Sequence, residues 1–276
     1  MIKIENTILD KLTAREKFLI IAHRGVFAGN IIENTIESVK ASFISGADIA
    51  EIDVLPSKDG VFYLFHDGVE LKLFGEKFDI RDLHSEEIDK LKYFNSLRHI
   101  KGQSPTRLED VLNSLQGDEL INIDRSWFYW EELLPYLDKF DKAKHILLKS
   151  KVDRKLLELL NNHKVKYMYF PIIYSMEELD IVQEYPGINL IGAEMIAFTE
   201  DGELFKKESV KEVRSRGLDV IINSEKLDDE TDLFGDIHDD NAIINGFDVW
   251  DLALEKGVNI IQTDWPWILD GYRKNL

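Results

Sequence analysis

Glu51-Ile-Asp53-Val-Leu-Pro-Ser-Lys-Asp-Gly60-Val-Phe-Tyr-Leu-Phe-His66-Asp67 is the stretch on which the fold turns. Two extended, apolar-rich runs meet at Lys58-Asp59-Gly60. A connection that short permits only an antiparallel hairpin, because a parallel return needs a dozen or more residues. With the turn centred near Asp59, Asp53 faces Phe65 and Ile52 faces His66. The hairpin therefore carries His66 back beside Glu51 and Asp53, and three polar groups converge through local chain geometry alone.

On either side of this stretch, short β-branched runs alternate with helical patterns, which implies βαβ units and a parallel sheet. Strands are expected over 18–23, 49–53, 120–124, 145–149, 167–173, 189–194, 219–223 and 259–263. Helices are expected over 34–45, 130–140, 154–161 and 176–185; in the first, Ile36, Val39 and Phe43 recur at helical spacing. Eight strands in a chain of 276 residues match a (β/α)8 barrel, which typically takes about 250. With no repeats or Pro/Ser-rich linkers, residues 1–276 read as one barrel domain. Such barrels place their chemistry at the C-terminal strand ends. Here those ends carry His23-Arg24, Glu51 with Asp53, Asp124, Lys149, Glu194, Asn223 and Thr263-Asp264. Ionisable or amide groups at nearly every strand end mark that face as a site.

Composition narrows the chemistry. A hydrophobic share of 44% is ordinary for a globular core. No run approaches the roughly 18 apolar residues of a membrane span, and the charged, helix-like first turns lack an apolar targeting segment, so a cytoplasmic location is expected. With no cysteine, disulfides, thiolate catalysis and cysteine-bound zinc are excluded, and any metal must be held by carboxylates, histidines or water. A formal charge of −18 argues against nucleic acid as a partner. An anionic substrate would need a bound cation and a few local Lys or Arg to invert the field at the site.

Ile21-Ala-His23-Arg24-Gly25, Glu33-Asn-Thr35, Glu51-Ile-Asp53 and His66-Asp67 together resemble the HRG, ENT, ExD and HD signature of glycerophosphodiester phosphodiesterases. Ser104-Pro-Thr-Arg-Leu-Glu-Asp-Val-Leu112 is similar to that family's IPTLEEVL segment, and Thr263-Asp264-Trp265-Pro266 to its closing TDxP. The resemblance runs from about residue 18 to 269 and implies the (β/α)8 barrel with a small insertion after the HD motif, roughly 68–118. It implies hydrolysis of a small-molecule phosphodiester to glycerol 3-phosphate and an alcohol. It also implies Glu51, Asp53 and Asp124 as ligands of a divalent cation; oxygen ligation suits Mg²⁺ or Ca²⁺. His23 and His66 are the implied acid–base pair, with Arg24 on the phosphoryl oxygens. A lysophospholipase D-type phosphodiesterase is a neighbouring reading, and a barrel reduced to a binding module is another.

Two departures from the family pattern stand out. Where the family has Asn-Ile-Glu-x-Lys, this chain has Asn122-Ile-Asp124-Arg125-Ser126. The carboxylate is one methylene shorter and the lysine is missing, so Lys149, one strand over, is expected to supply the charge at the phosphate. The stretch 224–245 is long and rich in acid, with Asp228, Asp229, Glu230, Asp232, Asp236, Asp239 and Asp240 around His238. It is expected either as a solvated loop or as a rim over the site, meeting a cationic leaving group or a second cation. Further site candidates are Glu33, which would order Arg24 or touch the metal, Glu194, Asn223, Asp264 and Trp265, the last in a leaving-group pocket. Asn34 is expected to cap its helix.

Overall fold

Every strand expected from the sequence forms, and the parallel ones close into a ring. The computed structural model describes residues 6–100, 102–228 and 230–276, so Asp229 lies outside the described residues. In chain order the strands are β1 (Leu19–Ala22), β2 (Ile49–Pro56), β3 (Phe62–Leu64), β4 (Thr106–Arg107), β5 (Leu120–Asp124), β6 (Ile146–Lys151), β7 (Met168–Ile173), β8 (Asn189–Leu190), β9 (Gly192–Met195), β10 (Asp219–Asn223) and β11 (Ile260–Thr263). Neighbours run β1-β2-β5-β6-β7-β9-β10-β11 and return to β1, all parallel. The sixth stave, expected as one strand, is two pieces, β8 and β9, both paired with β7.

Side-chain caps start three of the expected helices. Thr35 caps Ile36–Ile44, Asp153 caps Arg154–Asn162 and Ser175 caps Met176–Gln183; each supplies an acceptor to an orphaned N–H of the first turn. Asn34 is therefore not the cap, and its amide is free for other use. The helix expected over 130–140 ends at Leu137 and continues as a 3₁₀ turn over Asp138–Phe140. Pro135 lies inside it and cannot donate the backbone hydrogen bond that an uninterrupted helix requires.

Alternation along the strands sorts the barrel interior into levels. Leu19, Ile21, Ile49, Leu120, Leu147 and Phe170 belong to an apolar floor. The helix Thr7–Arg15 plugs it from below with Ile8, Leu9 and Leu12. Two residues further along the same strands the inward positions turn polar: Glu51, Asn122, Lys149, Asn223 and Gln262 are all buried. The floor excludes water from beneath, so those polar groups answer mainly to one another and to whatever enters at the mouth.

β2 is longer than a barrel stave needs. Its first half pairs with β5 from Ile49 to Asp53, and its end pairs antiparallel with β3, Val54 opposite Leu64 and Pro56 opposite Phe62. The N–H of Phe65 donates to the Asp53 carbonyl at 3.0 Å, the register the turn at Asp59 predicts. β4 adds a third antiparallel strand that the sequence did not announce. The insertion carries its own small core, in which Phe74 stacks between Phe65 and Tyr93 at 5.8 and 5.0 Å. The acidic stretch is not simply a solvated loop: Phe234, Ile237 and Ala242 are buried in the outer core, and Asp239–Asn245 is helical. Among the described residues no helix is long and apolar enough to cross a membrane.

The plug assignment has a direct test. Leu12 is 2% exposed beneath the floor, so Leu12→Ala should lower unfolding free energy by about 2–5 kcal/mol, as buried leucine truncations do. Urea unfolding measures this, and a loss below about 0.5 kcal/mol would show that the helix rests on the barrel without sealing it.

Candidate active site

The turn after β1 aims a backbone donor at the mouth. Arg24 and Gly25 both have left-handed backbones, φ 53° and 67°. A side chain at Gly25 would meet Ser38 within 2.8 Å, so the position is closed to anything larger. The turn points the Arg24 N–H at Glu51 Oε2, 2.6 Å away. The Arg24 guanidinium spans Glu33, with Nη1 at 3.2 Å from Oε1, and Asp53, with Nε at 3.5 Å from Oδ2. Lys72 from the insertion grips the other oxygen of Glu33 at 2.5 Å. Glu33 therefore holds Arg24 in place.

Asn34 also sits in the left-handed region, φ 54°, which asparagine tolerates better than most side chains. Its amide nitrogen donates to Asp53 Oδ2 at 2.8 Å, and its amide oxygen accepts the Asp53 N–H at 2.9 Å. One side chain thus fixes both the backbone and the carboxylate of Asp53. Glu51, Asp53 and Asp124 come together with one oxygen each, all within 4.8 Å. The cluster is the arrangement of carboxylates that can hold a metal ion. Oxygen Oε1 of Glu51 is buried and has no hydrogen-bond partner. Burial, with the nearby Asp53 charge, raises the Glu51 pKa to about 8. An orphaned buried oxygen beside two like charges leaves the local charge balance short of a cation.

Lys149 lies within this charge system. It is 2% exposed, with Nζ 2.7 Å from Asp124 Oδ2 and 3.1 Å from Glu194 Oε2. Burial opposes its charge, yet Asp124, Glu194 and Glu51 hold its pKa well above that of an ordinary lysine. Asn223 donates to the other oxygen of Glu194 at 2.9 Å. A buried chain Asn223–Glu194–Lys149–Asp124 therefore crosses from β10 to β5.

On the opposite wall, the His23 Nδ1–H donates to Asp264 Oδ1 at 2.9 Å. Burial works against the imidazolium, but the Asp264 hydrogen bond and the charges of Glu225 and Glu51 raise the His23 pKa to about 10. His66, delivered by the hairpin, points Nδ1 at the Asp67 carbonyl, 2.8 Å away. A carbonyl only accepts, so Nδ1 carries a hydrogen, and Nε2 takes no part in that bond. The Asp67 carboxylate is engaged by Arg125 at 2.9 Å, which ties the hairpin to the end of β5.

The remaining candidates divide. Trp265 is 37% exposed and meets Trp267 edge-on at 5.4 Å at the start of the last helix. His238 uses Nδ1 to accept the Asn241 N–H at a helix start, and its Nε2 faces Asp232 at 3.9 Å. It is not drawn into the carboxylate cluster. Asp239 is buried behind β11, accepting from Thr263 Oγ1 and the Asp264 N–H, so it braces the partner of His23 and is not part of an open rim. Two buried groups escaped the sequence reading. Glu225 accepts from Gln262 at 2.8 Å and keeps a second oxygen unpartnered. Both were signalled by inward alternation, two residues after Asn223 and two before Asp264.

With this geometry in hand, the likenesses to known proteins are informative. Residues 23–264 match the model of the glycerophosphoryl diester phosphodiesterase family. A segment of 76 residues is 45% identical to a glycerophosphodiester phosphodiesterase of Caldanaerobacter subterraneus; it is 27% of this chain and 30% of that relative's length. The barrel superposes on a glycerophosphoryl diester phosphodiesterase from Parabacteroides distasonis with TM-score 0.75 at 18% identity, over 97% of this chain and 92% of that one. A glycerophosphodiester phosphodiesterase from Thermotoga maritima gives TM-score 0.67 at 21% identity, over 92% and 98%. An Oleispira antarctica phosphodiesterase, solved with the product sn-glycerol-3-phosphate, gives 0.65 at 15%, over 94% and 97%. These structural likenesses establish the fold, and the family model spans every strand end that lines the mouth. The chain belongs to the glycerophosphoryl diester phosphodiesterase family.

Proposed function

We propose that this protein hydrolyses glycerophosphodiesters to glycerol 3-phosphate and an alcohol, with a divalent cation of the Mg²⁺ or Ca²⁺ kind. The observation that carries the reading is the cluster of Glu51, Asp53 and Asp124, with His23 and His66 at the same mouth. The three carboxylates would hold the cation, and the orphaned Glu51 oxygen fits that role. When bound, the cation supplies positive charge against the phosphoryl oxygens of the substrate. The product seen in the Oleispira antarctica relative supports the substrate class.

The chain's own residues provide the rest. Arg24, braced by Glu33, faces the cluster and orients the phosphodiester. His66, oriented through its Nδ1–H bond to the Asp67 carbonyl, is placed to accept the proton of the attacking oxygen. His23, with Asp264 stabilising its imidazolium, donates a proton to the departing alkoxide. Lys149 balances Asp124 and Glu194 and sets the positive field beneath the phosphate.

Dialysis into metal-free buffer with excess chelator should abolish release of glycerol 3-phosphate from glycerophosphocholine, and Mg²⁺ or Ca²⁺ should restore it. Undiminished turnover without metal would contradict the reading. His23→Ala and His66→Ala should each lower kcat by about 10²–10⁴-fold, the usual worth of a positioned acid or base. The double variant should be little worse than either, since the pair acts as a unit; wild-type turnover in either single variant would remove that residue from the chemistry.

For Lys149 the measurement is paired. Lys149→Ala should cost about 3–5 kcal/mol of stability, because it strands buried carboxylates, and kcat/KM should fall with it. Adding Glu194→Gln should return much of the stability while activity stays low. Activity recovering in step with stability would leave Lys149 with a purely structural role.

A further inference from the structure

One part of the insertion runs against the charge of the whole protein. On a chain of net charge −18, residues 90–104 carry Lys90, Lys92, Arg98 and Lys101 and no Asp or Glu. Among the described residues Lys90, Lys92 and Arg98 form no ion pair with a carboxylate. Lys92 bonds the Gly102 carbonyl and Ser104, and Arg98 bonds the Leu71 and Lys72 carbonyls. A bridge between Phe94 and Ile100 folds this segment into a small hairpin tip. Leu97 and Ile100 stand on it 73% and 70% exposed, with Leu71 beside it at 46%. Lys92 and Arg98 thus brace the tip without a carboxylate partner, and among the described residues Leu97 and Ile100 stand exposed beside them.

The tip also flanks the loop after β1. Between it and the loop after β1 lies a cleft of about 540 Å³, lined by Phe27, Ile32, Leu73 and Phe94, with Glu33 and Lys72 in its wall. Glu33 is the residue that holds Arg24. The cleft therefore lies between the apolar, cationic tip and a residue that braces Arg24.

We propose that this tip docks the protein on anionic lipid surfaces, with Leu97 and Ile100 entering the headgroup boundary and the cations meeting lipid phosphates. Interfacial binding of this kind needs both buried apolar area and electrostatic attraction, and the tip offers both. The repulsion between the overall acidic protein and such a surface is not decisive. At physiological salt, charge beyond about 8 Å is screened, so the groups nearest the membrane set the sign. Docking would bring the cleft to where phosphodiesters with hydrocarbon tails reside.

The test is co-sedimentation of the intact protein with vesicles of phosphatidylglycerol and phosphatidylcholine, and with phosphatidylcholine alone. The protein should pellet with the first and little with the second, and added salt should release it. Lys90→Gln with Lys92→Gln should weaken binding by about 25-fold, from about fivefold per cation. Leu97→Ser with Ile100→Ser should weaken it at least tenfold with unchanged thermal unfolding, since both residues are exposed. Equal pelleting with both vesicle types, no pelleting, or variants that bind like the parent would each overturn the proposal. So would a concentration-dependent dimer, seen by sedimentation velocity and lost in the Leu97/Ile100 variant, because the tip would then be covered by a second copy. Turnover of soluble glycerophosphocholine, measured on the same samples, reports separately on the phosphodiesterase reading.

Discussion

Three carboxylates held within 4.8 Å of one another at the mouth of a closed barrel are the constraint from which the surrounding structure follows. At an effective dielectric near 20, two unit charges about 4 Å apart interact by about 4 kcal/mol. Such a cluster persists only if fixed donors and countercharges hold it. The left-handed turn at Arg24 aims an N–H at Glu51, Asn34 clamps Asp53 from two sides, and Lys149 stands against Asp124. Two of these supports come from the loop between β1 and the helix Ile36–Ile44 and the third from β6, so the site depends on that loop and on ring closure together.

The supports stop short of neutrality. Glu51 keeps a buried oxygen with no partner, and burial lifts its pKa to about 8. Lys149 divides its charge between Asp124 and Glu194, while Arg24 divides its own between Glu33 and Asp53. A dication would complete this balance and turn an acidic mouth into one that attracts a phosphodiester. In local terms, that dication would let a chain of charge −18 accept an anionic substrate. The same locality of electrostatics lets a cationic tip on the insertion face an anionic surface.

Much of this was legible from the residues alone, for physical reasons. The turn at Asp59 sets a register of period two, so the position of His66 relative to Asp53 followed from counting. Strand-end residues could be placed because a parallel barrel offers one catalytic face. What could not be read was pairing across the chain. Lys149 was expected at the phosphate, but sequence spacing gave no sign of its contact with Glu194, forty-five residues away. Asn34 looked like a helix cap, and only the fold brings its amide against Asp53 and leaves capping to Thr35. The acidic stretch misled for a related reason. Its charges are conspicuous in sequence, whereas Phe234 and Ile237, which anchor it in the core, are too sparse to show a period.

The central claim is that Glu51, Asp53 and Asp124 form a cation site and not a merely tolerated cluster. It is tested most directly by crystals soaked in Mn²⁺, whose anomalous scattering locates the ion independently of any assay. A single strong peak bounded by those three carboxylates, lost in Asp53→Asn, is the result the structure predicts. An empty cluster at saturating Mn²⁺, or a peak seated elsewhere, would contradict it.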